Sequence, residues 1–297
     1  MKIKSNIINL PSFIYQVYEI EKVNLIKKLL IIIIGKVSQI IIKHLNNSLF
    51  CFFMNLFFHK HSKINYDKKT NTYNKQLVNE LQISYPNKRI TRVIQKNYSL
   101  LFDNLFKTYC LDRINFEKGD TIIDCGANVG EINYSFYINE ILIDYIGIEP
   151  DDDTFNCLKK NRINENDKFY HAALSNKSGQ QTLYLDSVGG NSSLEYFGRN
   201  DQLKVDTMTL DSLDIDNQIK LFKVEAEGHE PEVLNGSVKT LKNTEFVSVD
   251  FGFERGVEQA NTIEAVNEIL TNNGFILKNI SKYRMIGLYQ NLALKQL

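Results

Sequence analysis

From residue 119 onward, short apolar runs recur at intervals, and each closes on a polar residue. The runs at 121–123, 141–148, 169–174 and 221–224 read as strands, and the amphipathic stretch at 154–161 reads as a helix. Strand-like residues 180–186 and 203–208 flank a Gly/Asn/Ser turn at 189–193, which predicts a hairpin. The full order is strand, helix, strand, helix, strand, hairpin, strand, helix, strand, helix, strand pair. Strands alternating with helices imply right-handed crossovers, so an α/β fold with a mostly parallel, doubly wound sheet is expected. Ligands of such sheets collect at the carboxyl ends of the strands. Asp124, Glu149, His171, Glu225 and Asp250 all fall at predicted strand ends. Five polar residues along one sheet edge are hard to explain by stability alone.

The N-terminal pattern is different. Residues 25–45 are dominated by Ile and Leu, with Lys28, Gly35, Lys36, Gln39 and Lys43 on one narrow helical stripe. Lys36 interrupts the run, leaving apolar pieces shorter than the ~20 residues a membrane span needs. A second apolar patch at 49–58 holds Phe50, Phe52, Phe53, Phe57 and Phe58. The polar stretch 59–72 reads as a linker, and 73–118 as helices forming a cap or lid. The expected organisation is therefore a helical extension and linker at 1–72, the cap at 73–118, and the α/β domain at 119–297.

Charge sharpens this division. Residues 1–69 hold eleven Lys or Arg against three acids, a net +8, and the remainder is −8 within a chain of net charge zero. Three readings of residues 25–58 follow: packing on the α/β domain or on a second subunit, contact with an anionic membrane interface, or a full span, the least supported. A homo-oligomer is thus open, and a nucleic-acid partner is not expected. With 297 residues, 43% of them hydrophobic, the chain can bury one large core plus an extension. Cys51, Cys110, Cys125 and Cys157 show no metal-ligand spacing, and no cleavable signal is recognised. Reduced thiols in a cytoplasmic protein, peripheral at most on the inner face of the membrane, are expected.

The richest local chemistry follows the first strand. Asp124, Gly126, Asn128 and Gly130 form a D-x-G-x-N-x-G run opening a helix. Its glycines permit a tight turn and close backbone approach, and the helix start offers free N–H groups. A dinucleotide site would want glycine where Asn128 stands, and Asp124 would repel a diphosphate. A nicotinamide-dependent oxidoreductase is therefore only the second choice of enzyme. Glu149, nineteen residues after Gly130, sits at the tip of the second strand, placed to accept two hydrogen bonds from a ribose. Pro150 ends that strand, and the acids at 151–153 cap the next helix.

The D-x-G-x-N-x-G run resembles the signature of S-adenosylmethionine-dependent methyltransferases. With the Glu149-Pro150 pair, His171-Ala172 after the third strand, the 189–193 turn and LFKVEAEGHE at 221–230, the series resembles the FkbM family of these enzymes over residues 119–250. The resemblance implies a Rossmann-like class I methyltransferase fold, with an antiparallel strand near the C-terminus. It implies that Asp124 takes the methionine ammonium, that the backbone at Gly126, Asn128 and Gly130 passes under the cofactor, and that His171 and Ala172 meet the adenine. The family usually has Asp where this chain has Glu225, which reaches one methylene further.

Methyl transfer to a hydroxyl gains from a base near the methyl group. His229 is the first candidate, because neutral imidazole is available near pH 7. Glu225 and Glu227 are the alternatives, given a raised pKa or a metal. No metal site is assigned, although Mg²⁺ between Glu225 and Asp250 is a less favoured second mechanism. Asn191, Ser192 and Ser193 are expected to face the acceptor. The function expected is O-methylation of a sugar hydroxyl in a surface glycan or its precursor. N- or carboxyl-methylation and a degenerate cofactor-binding assembly protein remain as alternatives.

Overall fold

The structure is a computed structural model and describes residues 10–17, 24–58, 60–77, 81–95, 97–186 and 192–294. The chain divides into two compact units at Leu101/Phe102. The first contains α1 (Ser12–Val17), α2 (Leu25–His44), α3 (Asn47–Phe58) and an antiparallel sheet of β1 (Ile64–Asp67), β2 (Thr72–Gln76) and β3 (Gln82–Tyr85). The expected linker at 59–72 thus contains a strand, and the expected helices at 73–118 begin with two more. The sheet is illegible as an apolar alternation because its inward positions include polar residues that satisfy one another. Thr72, Asn74 and Ser84 are buried, and Ser84 donates to Asn74 Oδ1 at 2.6 Å. Asn71, left-handed at φ 53°, lies in the β1–β2 turn, where Asp67 Oδ1 accepts from the Lys69 N–H.

The division falls within α4 (Ser99–Thr108). The second unit then runs through β4 (Asp120–Cys125), α5 (Glu131–Ile138), β5 (Ile143–Ile148), α6 (Asp152–Lys160), β6 (Lys168–Tyr170), β7 (Ala173–Leu174), β8 (Gly179–Tyr184) and β9 (Gln202–Met208). It closes with β10 (Ile219–Val224), α7 (Glu230–Asn235), α8 (Val238–Leu241), β11 (Thr244–Asp250), α9 (Ile263–Asn272), β12 (Phe275–Ile280) and β13 (Ile286–Asn291).

Seven strands form the main sheet in the order β12-β13-β11-β10-β4-β5-β6. Pairs from β11 through β6 are parallel, and β13 is antiparallel to both β11 and β12. This is the mixed, mostly parallel class I methyltransferase fold, with the expected antiparallel strand. Strands covered on both faces need apolar side chains on both. Ile122 and Leu221 accordingly enter one core cluster, while their neighbours Ile123 and Phe222 enter the other. The expected third strand breaks at His171: β6 stays in the main sheet, while β7 joins β9 and β8 in a separate three-stranded sheet. All four cysteines are free and buried, with Cys125 in the core as a small apolar filler.

Candidate functional site

Strand order reverses between β4 and β10, the position where open α/β sheets bind ligands. The β4–α5 turn here takes the left-handed region three times, at Gly126 (φ 70°), Asn128 (φ 50°) and Gly130 (φ 88°). Gly126 is required twice over: a Cβ there would lie 2.1 Å from the Glu225 carbonyl oxygen. Gly126→Ala should cost at least ~1–2 kcal/mol from backbone handedness alone and push the β4 and β10 tips apart. Calorimetric titration with S-adenosylhomocysteine should then show affinity reduced by about tenfold or more.

Glu149, directly after β5, is buried and turned into this loop. Its Oε2 accepts from the Asn128 N–H at 2.9 Å and its Oε1 from the Asp151 N–H at 3.1 Å. Each oxygen keeps a lone pair for a further donor. Burial pushes its pKa up to about 7, with the two N–H donors opposing. Asp151 caps α6 through the Thr154 N–H, as expected of this acidic run. His171 is exposed, stacks on Phe155 at 4.6 Å between centroids, and donates from Nε2 to the Pro150 carbonyl at 3.1 Å. Ala172 beside it is buried.

Asp124 is placed differently from the expectation. It is fully buried, Tyr145 donates to its Oδ2 at 2.6 Å, and the Lys223 ammonium stands 2.9 Å from its Oδ1. The chain's own ammonium, not a ligand's, therefore faces this carboxylate. Lys223 comes from β10, which pairs with β4 in a register that sets Lys223 beside Asp124. It also donates to the carbonyls of Cys125 and Gly126, both at 3.0 Å, and lies 3.2 Å from Glu225 Oε2. Burial disfavours the ammonium, but Asp124, Tyr109 and Glu225 raise its pKa well above the ordinary lysine value. The pair anchors the glycine turn to β10 from below.

Glu225 follows β10 in a cage of donors. Tyr109 donates to its Oε2, and Arg284 Nη1 donates to its Oε1 at 2.7 Å. Burial pushes this carboxyl up, yet Lys223 and Arg284 hold it down at about 2, which makes it a poor base. Arg284 also lies 2.6 Å from Asp250 Oδ2 and 3.4 Å from Glu254. The cation between Glu225 and Asp250 is thus a guanidinium, and with it in place these acids do not fit Mg²⁺.

Glu227 adopts a left-handed backbone (φ 51°) ahead of Gly228 (φ 96°), whose close neighbour is the Arg255 backbone. Burial first, then the charges of Glu225 and Glu254, raise its carboxyl to about 10. Its Oε2 has no hydrogen-bond partner among the described residues. That oxygen is itself buried, although Glu227 as a residue is half-buried.

His229 is not so placed. It is buried, Nδ1 faces Glu195 Oε1 at 2.8 Å, and Nε2 pairs with Ser175 Oγ at 3.0 Å. Gln181 donates to that same hydroxyl at 3.1 Å. With both nitrogens engaged, His229 is a structural link rather than an open base. Glu195, His229 and Glu232 bring ligand atoms within 4.8 Å of one another, but Arg255 already holds Glu232 in two contacts of 2.7 and 2.9 Å.

Ser193 is buried and donates to the Glu227 carbonyl at 2.7 Å, so it supports that loop instead of facing outward. Ser192 Oγ accepts from the Asp186 N–H at 3.3 Å, and Asn191 lies outside the described residues. Sequence reasoning missed Tyr109, Tyr145, Glu195, Lys223, Glu254 and Arg284. Lys223 alone left a signal, a charge between Phe222 and Val224 in an apolar central strand.

Residues 124–277, just over half of the chain, match the family model described as the methyltransferase FkbM domain. Among solved structures, the chain is similar to a methyltransferase FkbM from Methylobacillus flagellatus KT, at 12% identity and TM-score 0.43, covering 88% of this chain. The chain spans 60% of that protein's length. It is also similar to a SAM-dependent methyltransferase from Aquifex aeolicus, at 14% identity and TM-score 0.39, covering 65% of this chain and 97% of the other. No curated protein matches the chain.

Proposed function

Since the chain belongs to the FkbM methyltransferase family, and is thereby an S-adenosylmethionine-dependent methyltransferase, we propose that it methylates a hydroxyl, that of a sugar in a glycan or its lipid- or nucleotide-linked precursor. The observation that carries this reading is the un-ionised Glu227 carboxyl beside Glu254, whose buried Oε2 has no hydrogen-bond partner among the described residues, two residues beyond the Glu225 that touches the glycine turn. A hydroxyl, unlike a carboxylate, needs a proton acceptor as it attacks. The carboxylates and guanidinium at this edge also suit an acceptor rich in hydroxyls.

When bound, S-adenosylmethionine supplies an electrophilic methyl on a sulfonium. The chain's part is to hold, orient and take a proton. Glu149 has lone pairs to spare for two ribose hydroxyls, and Gly126 and Gly130 leave the left-handed turn without a side chain at those two positions. His171 and Pro150 provide a flat surface for an adenine beside Phe155. Asp124 acts through Lys223, which fixes the carbonyls of the turn. The acceptor proton passes to Glu227 as Glu227's own proton shifts to Glu254.

Ribose hydroxyls donate to an ionised carboxylate, and the free Glu149 ionises near pH 7. Affinity for S-adenosylhomocysteine should therefore rise with pH, by about tenfold per unit well below 7, and level off above it. Glu149→Gln should weaken binding and flatten the profile. A wild-type affinity independent of pH would remove Glu149 from the ribose. The acceptor class is tested by methyl transfer from labelled cofactor to surface-glycan fragments, followed by mild alkali. Label that survives as an ether supports the hydroxyl reading; label released as methanol would identify a carboxyl acceptor.

A further inference from the structure

The first unit turns an apolar helix face to the outside. On α2, Leu25, Leu29, Ile33 and Ile40 are 54–73% exposed, while the opposite side buries Gly35 and Ser38. That side is closely packed: a Cβ on Gly35 would lie 2.7 Å from Leu10. On α3, Leu49, Phe52 and Leu56 continue the exposed apolar surface at 52–61%. Exposed apolar side chains in this number on two neighbouring helices mark a place of contact.

Its charge selects the partner. Residues 24–63 contain Lys27, Lys28, Lys36, Lys43, Lys60 and Lys63 and no Asp or Glu. Lys36 and Lys43 lie among the exposed aliphatic residues of α2. A second copy of this surface would set lysine against lysine. An anionic bilayer offers both requirements at once, acyl chains for Leu, Ile and Phe and phosphates for the lysines. Among the described residues no helix is long and apolar enough to cross a membrane. We infer that α2 and α3 lie along the surface of an anionic lipid bilayer, with their exposed Leu, Ile and Phe side chains inserted and their lysines at the headgroups.

The inference is independent of the methyl acceptor and is tested on the full chain by flotation with vesicles. Binding to phosphatidylcholine vesicles containing phosphatidylglycerol should exceed binding to phosphatidylcholine alone by about tenfold or more, and fall with added salt. Ile33→Glu with Phe52→Glu should abolish flotation while S-adenosylhomocysteine binding, read by calorimetry, stays intact and reports a folded protein. The chain has no tryptophan, so Leu29→Trp is a clean reporter whose emission should shift to the blue with the anionic vesicles. Absence of flotation, flotation unchanged by the two glutamates, or a dimer in light scattering that Ile33→Glu dissolves would each overturn the inference; the last would assign this face to a second copy.

Discussion

Lys223→Met is expected to lower the free energy of unfolding by about 3–5 kcal/mol, the cost of stranding a buried charge without its partner. Lys223 and Asp124 are both essentially inaccessible, and the ammonium answers Asp124, Glu225 and two backbone carbonyls at once. Methionine keeps the length of the side chain and removes all four contacts. Denaturant unfolding of the single variant and of Lys223→Met with Asp124→Asn separates the causes. The double variant should recover a good part of the loss, because it removes the orphaned charge together with its partner. A single variant as stable as the wild type would mean that the pair is not the buried bridge described. Asp124→Ala is correspondingly a poor probe of cofactor contact, since it disturbs the strand tip before any ligand arrives.

Glu227→Gln is expected to lower kcat by about 10²–10⁴-fold, the usual worth of a positioned base, with S-adenosylhomocysteine affinity nearly unchanged. Glutamine keeps the shape and the left-handed loop but cannot take a proton. Glu254→Gln should lower kcat to a similar extent, because Glu227 then has nowhere to pass its own proton. His229→Gln should instead lower stability, through its links to Ser175 and Glu195, more than it lowers kcat at saturating acceptor. Steady-state kinetics on the acceptor found by labelling, run beside thermal melts, distinguishes these outcomes. Full activity in Glu227→Gln would remove the proton relay and return attention to His229.

Much of the second unit was legible along the chain. The parallel sheet and the acids at the strand ends follow from apolar runs and their terminators, while the C-terminal antiparallel strand came only from the family resemblance. The turn after β4 was legible for the same reason, because glycine and asparagine at that spacing answer a local backbone demand. Glu149 was found by counting from Gly130, and the structure sets it against the Asn128 N–H. The hairpin region was read less well. Ser193 looked like an outward hydroxyl, but the Tyr184–Ser193 bridge turns it toward the Glu227 loop. The small sheet of the first unit left no apolar alternation to read, because Asn74 and Ser84 satisfy each other inside it.

By itself, then, the sequence determined the strand–turn–helix chemistry, the alternation that builds the sheet and the family to which the chain belongs. These depend on φ, ψ and side-chain period over a few neighbouring residues. Which charges meet was decided only by the tertiary structure. Tyr109 reaches Glu225 across 116 positions, and Arg284 reaches it across 59. Those encounters follow from β10 lying between β4 and β11, a pairing that no local pattern encodes. The same packing decides which carboxyl is ionised. Glu225 and Glu227 are alike in sequence, but two cations hold one near pKa 2, while burial and a neighbouring carboxylate raise the other to about 10. Burial and the nearest charge are properties of three-dimensional proximity, so the assignment of acid and base had to wait for the fold.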